Sequence, residues 1–597
     1  MSNKYEWDFS EFCKDNMDFE SRIKRLKSNI IELSSLETIS LDELLKKYYE
    51  LKLEYEKLNT YAELNSDLDI TNEVFKNYKK EVGEIYNLLQ DLLQKVNAKI
   101  VLLGNDYRVI LKENEKLAPY KMHIYELLRC NNSVVDEDTK KKLDELTSSI
   151  QKINDEYMRV MNVTTEYDGV DIDGEKYPIN IKNFNRFITS KNREIRELVF
   201  NTFIFNLKKS NKDVGELLIK RLKACDEYAK LKGYSSVLEG ILKEDDLSTF
   251  ITDSLVEVVN NNLDFFREFY KLKLKGLNID GPMYYDLALP FINMEFDKNF
   301  DESVSDVKKA LSIFGTEYSR ILDSVFSSNS IDVFPKPHKF PGAYNFRNYT
   351  KPMILMNYHP GYVSTKNIAH ECGHAVNAIL IRDNHPYQDF HFSSFLSETA
   401  SIVNENALED YYIRTGDDKT KIFVLEQKIS NFISTVFLQT LYFEFSKRCY
   451  DLVANRKKLT VEIINNVFKS LLEKYYGDLV PLDDAKYIWQ TRIHLFYGQY
   501  RYYNFQYATG LINAIKIYSS IKNNEPGALN NYLKFLSIGG SMPTLDALKV
   551  AGVDYDDKKT IIDCMKYFRE LLLKYKDIID SMNADNSLKG ETYGRKI

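Results

Sequence analysis

Residues 368–380 read IAHECGHAVNAIL, an apolar helical segment whose ionisable groups are spaced to act together on one face of an α-helix. Residues four apart on a helix lie one above the other, so His370 and His374 can offer two imidazole nitrogens to one tetrahedral metal ion. Glu371 follows the first of them. A carboxylate there stands beside the open fourth position and can take a proton from a water that the ion has made acidic. The flanks suit a helix. Ser364 and Thr365 are expected N-caps, Pro360 and Gly361 break the chain before them, and Ala369, Ala375, Val376, Ala378, Ile379 and Leu380 supply a surface to bury. Only eight histidines occur in 597 residues, so this pairing is not a product of composition.

The pattern asks for a third protein ligand. The stretch SSFLSETASIVNENAL places Glu398 in a second helical pattern, 24 residues after His374. Two histidines and a glutamate, with water in the fourth position, make a catalytic zinc arrangement, and one zinc per chain is expected. Ser401 and Glu405 fall on the same helical face as Glu398, where either could brace a ligand. Downstream, IHLFYGQYRYYNFQYATG gathers His494 with Tyr497, Tyr500, Tyr502, Tyr503 and Tyr507. Acyl transfer builds negative charge on the carbonyl oxygen, and phenol or imidazole donors stabilise it; the plainer reading is a tyrosine-rich helical core.

HECGH, the glutamate of FLSETAS, the upstream GAYNF and PMILMNY, the downstream YNFQYATG, Trp7-Asp8 and RLKACDEYAKLKGYSSVLEGIL occur in an order that covers most of the chain. Together they resemble the oligoendopeptidase F group of the thimet oligopeptidase family of zinc metallopeptidases. The resemblance implies a mainly α, two-lobed helical clamshell of zincin type, with a small β element beside the zinc helix. It also implies hydrolysis of internal peptide bonds in short oligopeptides. Zinc would be held by His370, His374 and Glu398, Glu371 would act as base, and His494, Tyr500, Tyr503 and Tyr507 would serve the oxyanion. The chain departs from the family pattern at Cys372, expected to pack as a small hydrophobe, at Asn377, and in the spacing from His494 to YATG. A related peptidyl-dipeptidase is an alternative, with Arg492 or Arg501 meeting the free carboxylate. A non-catalytic zinc-dependent peptide-binding protein is another, but a purely structural site has no use for Glu371 and closes its fourth position with protein.

At 597 residues the chain exceeds what a single core usually supports. An N-terminal helical lobe over 1–180 and a catalytic region over 181–597 are expected. The balance of 81 basic against 88 acidic residues argues against a nucleic-acid surface, and no apolar stretch of about 18 residues offers a membrane span. Six scattered cysteines without CxxC suit reduced thiols in a cytoplasm. In the first 160 residues, Ser40 with Glu43 reads as a capping box. After it Leu41, Leu44, Tyr48, Leu51, Tyr55, Leu58 and Ala62 form an apolar seam, and Ile23, Leu26, Ile30 and Leu33 form another, as in antiparallel helical hairpins. Asp173-Gly174 predicts a hairpin over 170–181. Helices are expected over 193–209, 214–232 and 247–274, and short strands over 343–344 and 353–358. Of these, residues 354–357 are the candidate edge strand for an added peptide. His359, His385 and His391 lack ligand spacing and are read as structural or exposed.

Overall fold

A computed structural model of the chain describes residues 4–104, 107–130, 136–497 and 502–584. The described residues are mostly helical, as expected, and their few strands form no closed sheet. They fall into two compact units, each assembled from separated stretches. Unit 1 takes Met1–Asn132, Glu295–Tyr411 and Asn513–Val553; unit 2 takes Ser133–Met294, Tyr412–Ile512 and Asp554–Ile597. This cuts the chain differently from the contiguous 1–180 and 181–597 expected above. The reason is visible inside unit 1. The Trp7 indole N–H, near the N-terminus, donates to the carbonyls of Ser330 and Ile354 at 3.0 and 2.9 Å, and Asn348 Nδ2 donates to Thr60 Oγ1 at 2.6 Å.

In unit 1 the chain begins with α1 (Asn16–Ser35), α2 (Leu41–Leu68) and α3 (Glu73–Val101), which pack side by side. The predicted seams are the ones buried: Ile23, Leu26, Ile30 and Leu33 on α1, and Leu44, Tyr48, Leu58 and Ala62 on α2. They meet a row on α3, Val82, Ile85, Leu89, Leu92 and Val96, spaced alternately by three and four residues. Each such aliphatic side chain contributes about 1.5–3 kcal/mol by leaving water. Ser40 does occupy the N-cap of α2, but its side chain makes no capping hydrogen bond, so the expected capping box is not formed.

Three short strands complete the frame of the site: β1 (Ile331–Asp332), β2 (Tyr344–Phe346) and β3 (Met353–Leu355). Their order is β1-β3-β2, with β3 parallel to β1 and antiparallel to β2, and Asn345 faces Ile354 across the pair. The fully buried β3 is therefore central. Residues 354–357 are not the edge expected for peptide addition, because β3 is paired on both sides; a run this short shows no alternation from which its neighbours could be told. Two helices follow, α4 (Tyr362–Asn384) and α5 (Thr399–Thr415), and later α6 (Ala528–Ile538), against which α4 packs. Helix α4 starts at Tyr362 with Gly361 at its cap, so Ser364 and Thr365 lie inside the first turn and do not cap it.

Unit 2 contains the predicted hairpin, Gly169–Ile172 paired with Glu175–Pro178. Its turn residues Asp173 and Gly174 have φ of 55° and 83°, the left-handed pair a two-residue type I′ turn requires. The helices expected over 193–209 and 214–232 are one continuous helix, Arg193–Leu231. The polar SNKD run at its middle does not break it: Ser210 turns its hydroxyl to the Leu207 carbonyl and to Gln490, while Val214 and Gly215 are buried. The stretch 247–274 instead divides into Thr249–Asn260 and Leu263–Gly276.

Candidate active site

Helix α4 buries Ile368, Ala369, Cys372, Ala375, Val376 and Ala378 and turns His370 and His374 to one side. Between the two histidines sits Gly373, a residue that costs a helix about 1 kcal/mol relative to alanine. The tertiary fold explains it. A Cβ added there would lie 2.6 Å from Ser401 Cα and 2.7 Å from the Ala400 oxygen, both on α5. Only a bare α-carbon lets the two helices approach this closely. Gly373→Ala is accordingly expected to lower stability, by about 1–3 kcal/mol for an overpacked contact, despite its better helix propensity, and to loosen metal retention by pushing Glu398 away. Thermal unfolding and zinc analysis check this; a raised unfolding midpoint would contradict the close approach.

Among the described residues, His370, His374 and Glu398 are the one His/Cys/Asp/Glu group whose ligand atoms all lie within 4.8 Å of one another. The two Nε2 atoms are 3.2 Å apart, and Glu398 Oε2 is 3.3 Å from the first and 3.5 Å from the second. A tetrahedron with metal–ligand bonds of about 2.0–2.2 Å has edges of about 3.3–3.6 Å, so the three atoms are spaced much as one face of such a polyhedron. The donor set fits zinc in chemistry as well: two imidazoles and one carboxylate, with no fourth protein group drawn in.

A surrounding layer holds these donors. His370 Nδ1 donates to Glu405 Oε1 at 2.7 Å, which leaves Nε2 free to act as a ligand. Ser401 Oγ donates to Glu398 Oε2 at 3.1 Å. Both bracing candidates thus touch one of the three convergent groups, Glu405 on His370 and Ser401 on Glu398. Asn404 Nδ2 donates to the Ala369 carbonyl at 2.9 Å, and its own oxygen accepts from the Tyr318 hydroxyl at 2.7 Å, which ties α5 to α4. The site is strongly polarised. Burial works against a charged His370, yet its hydrogen bonds to Glu398 and Glu405 prevail and push it up to about 10. Burial would raise Glu405, but the charge of Lys366 and the His370 bond bring it down to about 2. Burial pushes Glu371 up, against the pull of both histidines.

Edge strand β2 runs beside Glu371. Asn345 Nδ2 donates to the Glu371 carbonyl at 3.1 Å, and Asn345 Oδ1 is buried without a partner. The Ile354 N–H bonds Ser330 and its carbonyl accepts from Trp7, so its main chain faces β1, and β3 meets β2 through Met353 and Leu355. The N–H and C=O of Asn345 consequently point away from β3. No described strand pairs with that side of β2.

The remaining sequence candidates separate. Cys372 is fully buried, and burial raises its thiol, as a small core hydrophobe requires. Asn377 donates to the Leu536 carbonyl at 2.7 Å and is a packing residue between α4 and α6. His391 bonds Glu56 at 2.8 Å, His385 lies 3.7 Å from Asp389, and the His359 backbone N–H bonds Ser364; none joins the ligand group. In unit 2, His494 Nε2 is 3.0 Å from the Tyr507 hydroxyl, and Tyr503 stacks 6.2 Å from His494 and edge-on 4.9 Å from Tyr507. Tyr500 and Arg501 lie outside the described residues. Arg492 is laid over the Tyr442 ring, 4.3 Å from its centre. Sequence reading passed over Gly373, Asn345 and Lys366. The only available signals were a glycine inside a helix and a lysine one turn before His370.

A family model described as Peptidase family M3 matches residues 186–567. The chain is 28% identical over 594 residues to an oligoendopeptidase F homolog of Borreliella burgdorferi, covering 96% of this chain and 98% of that relative. It is 29% identical over 528 residues to oligopeptidase PepF of Bacillus subtilis, covering 88% and 78%. A solved structure from Chlamydophila abortus matches the fold with a TM-score of 0.88 at 24% identity, over 97% of this chain and 99% of that one.

Proposed function

The chain belongs to peptidase family M3 and is a metalloendopeptidase, and we propose that it hydrolyses internal bonds of short oligopeptides with one zinc ion held by His370, His374 and Glu398. The observation that carries this reading is the convergence of two Nε2 atoms and one Oε2 atom within 3.2–3.5 Å of each other. Zinc, when bound, supplies a Lewis acid that polarises the scissile carbonyl and makes water acidic at neutral pH. Glu371 takes the proton of the attacking water and hands it to the leaving nitrogen, a task suited to a carboxylate whose proton affinity burial has raised. Glu405 and Ser401 keep His370 and Glu398 turned inward. His494, Tyr500, Tyr503 and Tyr507 are assigned as donors to the oxyanion, on the chemistry of imidazole and phenol hydrogens.

The substrate lies extended against β2, pairing with the outward N–H and C=O of Asn345. Replacing single substrate amides by esters is therefore expected to lower kcat/KM about 2- to 10-fold at the position whose N–H reaches Asn345, the worth of one hydrogen bond. A scan with no sensitive position would remove β2 as the docking edge. Five cysteines among the described residues are buried free thiols, which suit a reducing compartment, and we place the enzyme in the cytoplasm. No helix among the described residues is long and apolar enough to cross a membrane. Product mapping on one long unstructured peptide tests the whole reading. Internal cuts support it, release of dipeptides from the C-terminus would replace it with the peptidyl-dipeptidase, and absence of cleavage would reduce the chain to a binding protein.

A further inference from the structure

Helices α4 and α5 face each other with two rows of polar side chains. Along α4 the row is Lys366, His370 and His374, each one turn from the next; along α5 it is Glu409, Glu405 and Ser401, continued by Glu398 just before the helix starts, in the opposite sense. Lys366 Nζ stands 2.9 Å from Glu405 Oε2 and 2.9 Å from Glu409 Oε1. Glu405 Oε1 is 2.7 Å from His370 Nδ1, and His370 Nε2 is 3.3 Å from Glu398 Oε2. The proposed chemistry uses only the lower part of this ladder. Its upper rung is nonetheless buried, with the Lys366, Glu405 and Glu409 side chains 19%, 14% and 4% exposed. A buried ion-pair cluster is a poor source of stability, because the loss of hydration offsets most of the attraction. Its presence one turn above a candidate metal ligand calls for another role.

We propose that Lys366 is a positioning residue for the metal site. By holding Glu405 Oε2 it keeps Oε1 against His370 Nδ1, and so aims His370 Nε2 at the ion. The inference rests on the assignment of His370, His374 and Glu398 as ligands. Each Glu405 oxygen has one charged or N–H donor, Lys366 for Oε2 and His370 for Oε1. Without Lys366, Oε2 is left where little water reaches, beside the carboxylate of Glu409. Both the missing donor and the repulsion favour a Glu405 turned away from His370, whose ring then loses the contact that fixes its orientation. Loss of such an outer partner weakens metal binding roughly 10- to 100-fold. Glu409 has a separate task, to neutralise Lys366 from the other side.

The test measures zinc affinity of the full chain by competition with a chromophoric chelator, so the readout is independent of turnover. Lys366→Met is expected to bind zinc about 10- to 100-fold more weakly than wild type. The double variant Lys366→Met/Glu409→Gln removes an entire ion pair and leaves no uncompensated Glu409 charge, yet Glu405 Oε2 still lacks its donor. It should be weakened by a similar factor, and it keeps the question open to measurement if Lys366→Met alone fails to fold. Recovery of wild-type affinity in the double variant would show that the defect came from the buried Glu409 charge and would overturn the proposal. Unchanged affinity in Lys366→Met would overturn it too. A wild-type chain without about one zinc would overturn the ligand assignment itself, a result distinct from either.

Discussion

Glu371→Gln is expected to keep about one zinc per chain and to lose roughly 100- to 10,000-fold in kcat, the span that general acid–base groups contribute. Glutamine has the size of glutamate and a carbonyl oxygen, but no basic carboxylate to take the proton of the attacking water. The substitution leaves the ligand geometry alone, because Glu371 is not one of the three convergent donors and its main-chain contact with Asn345 survives. Metal analysis beside single-turnover kinetics checks both halves. Retention of near wild-type turnover would assign the base to another residue.

Glu398→Ala is expected to do the reverse in its first effect, with zinc lost and activity lost as a consequence. Glu398 Oε2 is the one anionic atom of the set and the only one of the three donors that α4 does not carry. Its removal leaves two imidazoles of one helix, so affinity should fall by more than the roughly 10- to 100-fold that an outer-layer partner costs. Activity should return, if at all, only in excess zinc. The two variants form a pair: equal zinc loss in Glu371→Gln and Glu398→Ala would mean that the roles of ligand and base are misassigned. Chelation of the wild-type chain should abolish activity, with zinc restoring it.

Much of the ligand group was legible because its geometry is local or nearly so. The four-residue step from His370 to His374 specifies a shared helix face wherever that helix lies. The seven-residue step from Glu398 to Glu405 likewise puts both on one face, so the sequence offered Glu405 and Ser401 as braces. What it could not say was which ligand each would touch, since that depends on the angle and offset of two helices joined by a loop. His370 takes Glu405, and Glu398 takes Ser401. The strand placement failed for a related reason. Alternation over three or four residues does not distinguish a central strand from an edge, and β1, the neighbour that makes β3 central, was not predicted at all.

By itself, then, the sequence determined the elements whose causes lie within a few turns of chain: the helix of the HECGH motif, the seams of α1 and α2, the type I′ turn at Asp173-Gly174 and the shared face of Glu398, Ser401 and Glu405. Tertiary structure decided the rest. The approach of α4 to α5 made Gly373 indispensable and brought Lys366 opposite Glu405 and Glu409, though 39 and 43 residues separate them. The seating of Trp7 on Ser330 and Ile354 joined the N-terminal helices to the same compact unit as His370, His374 and Glu398. Such contacts are set by the burial of surfaces distant along the chain. Periodicity shows that a helix has a face to bury, but only packing selects the surface that meets it.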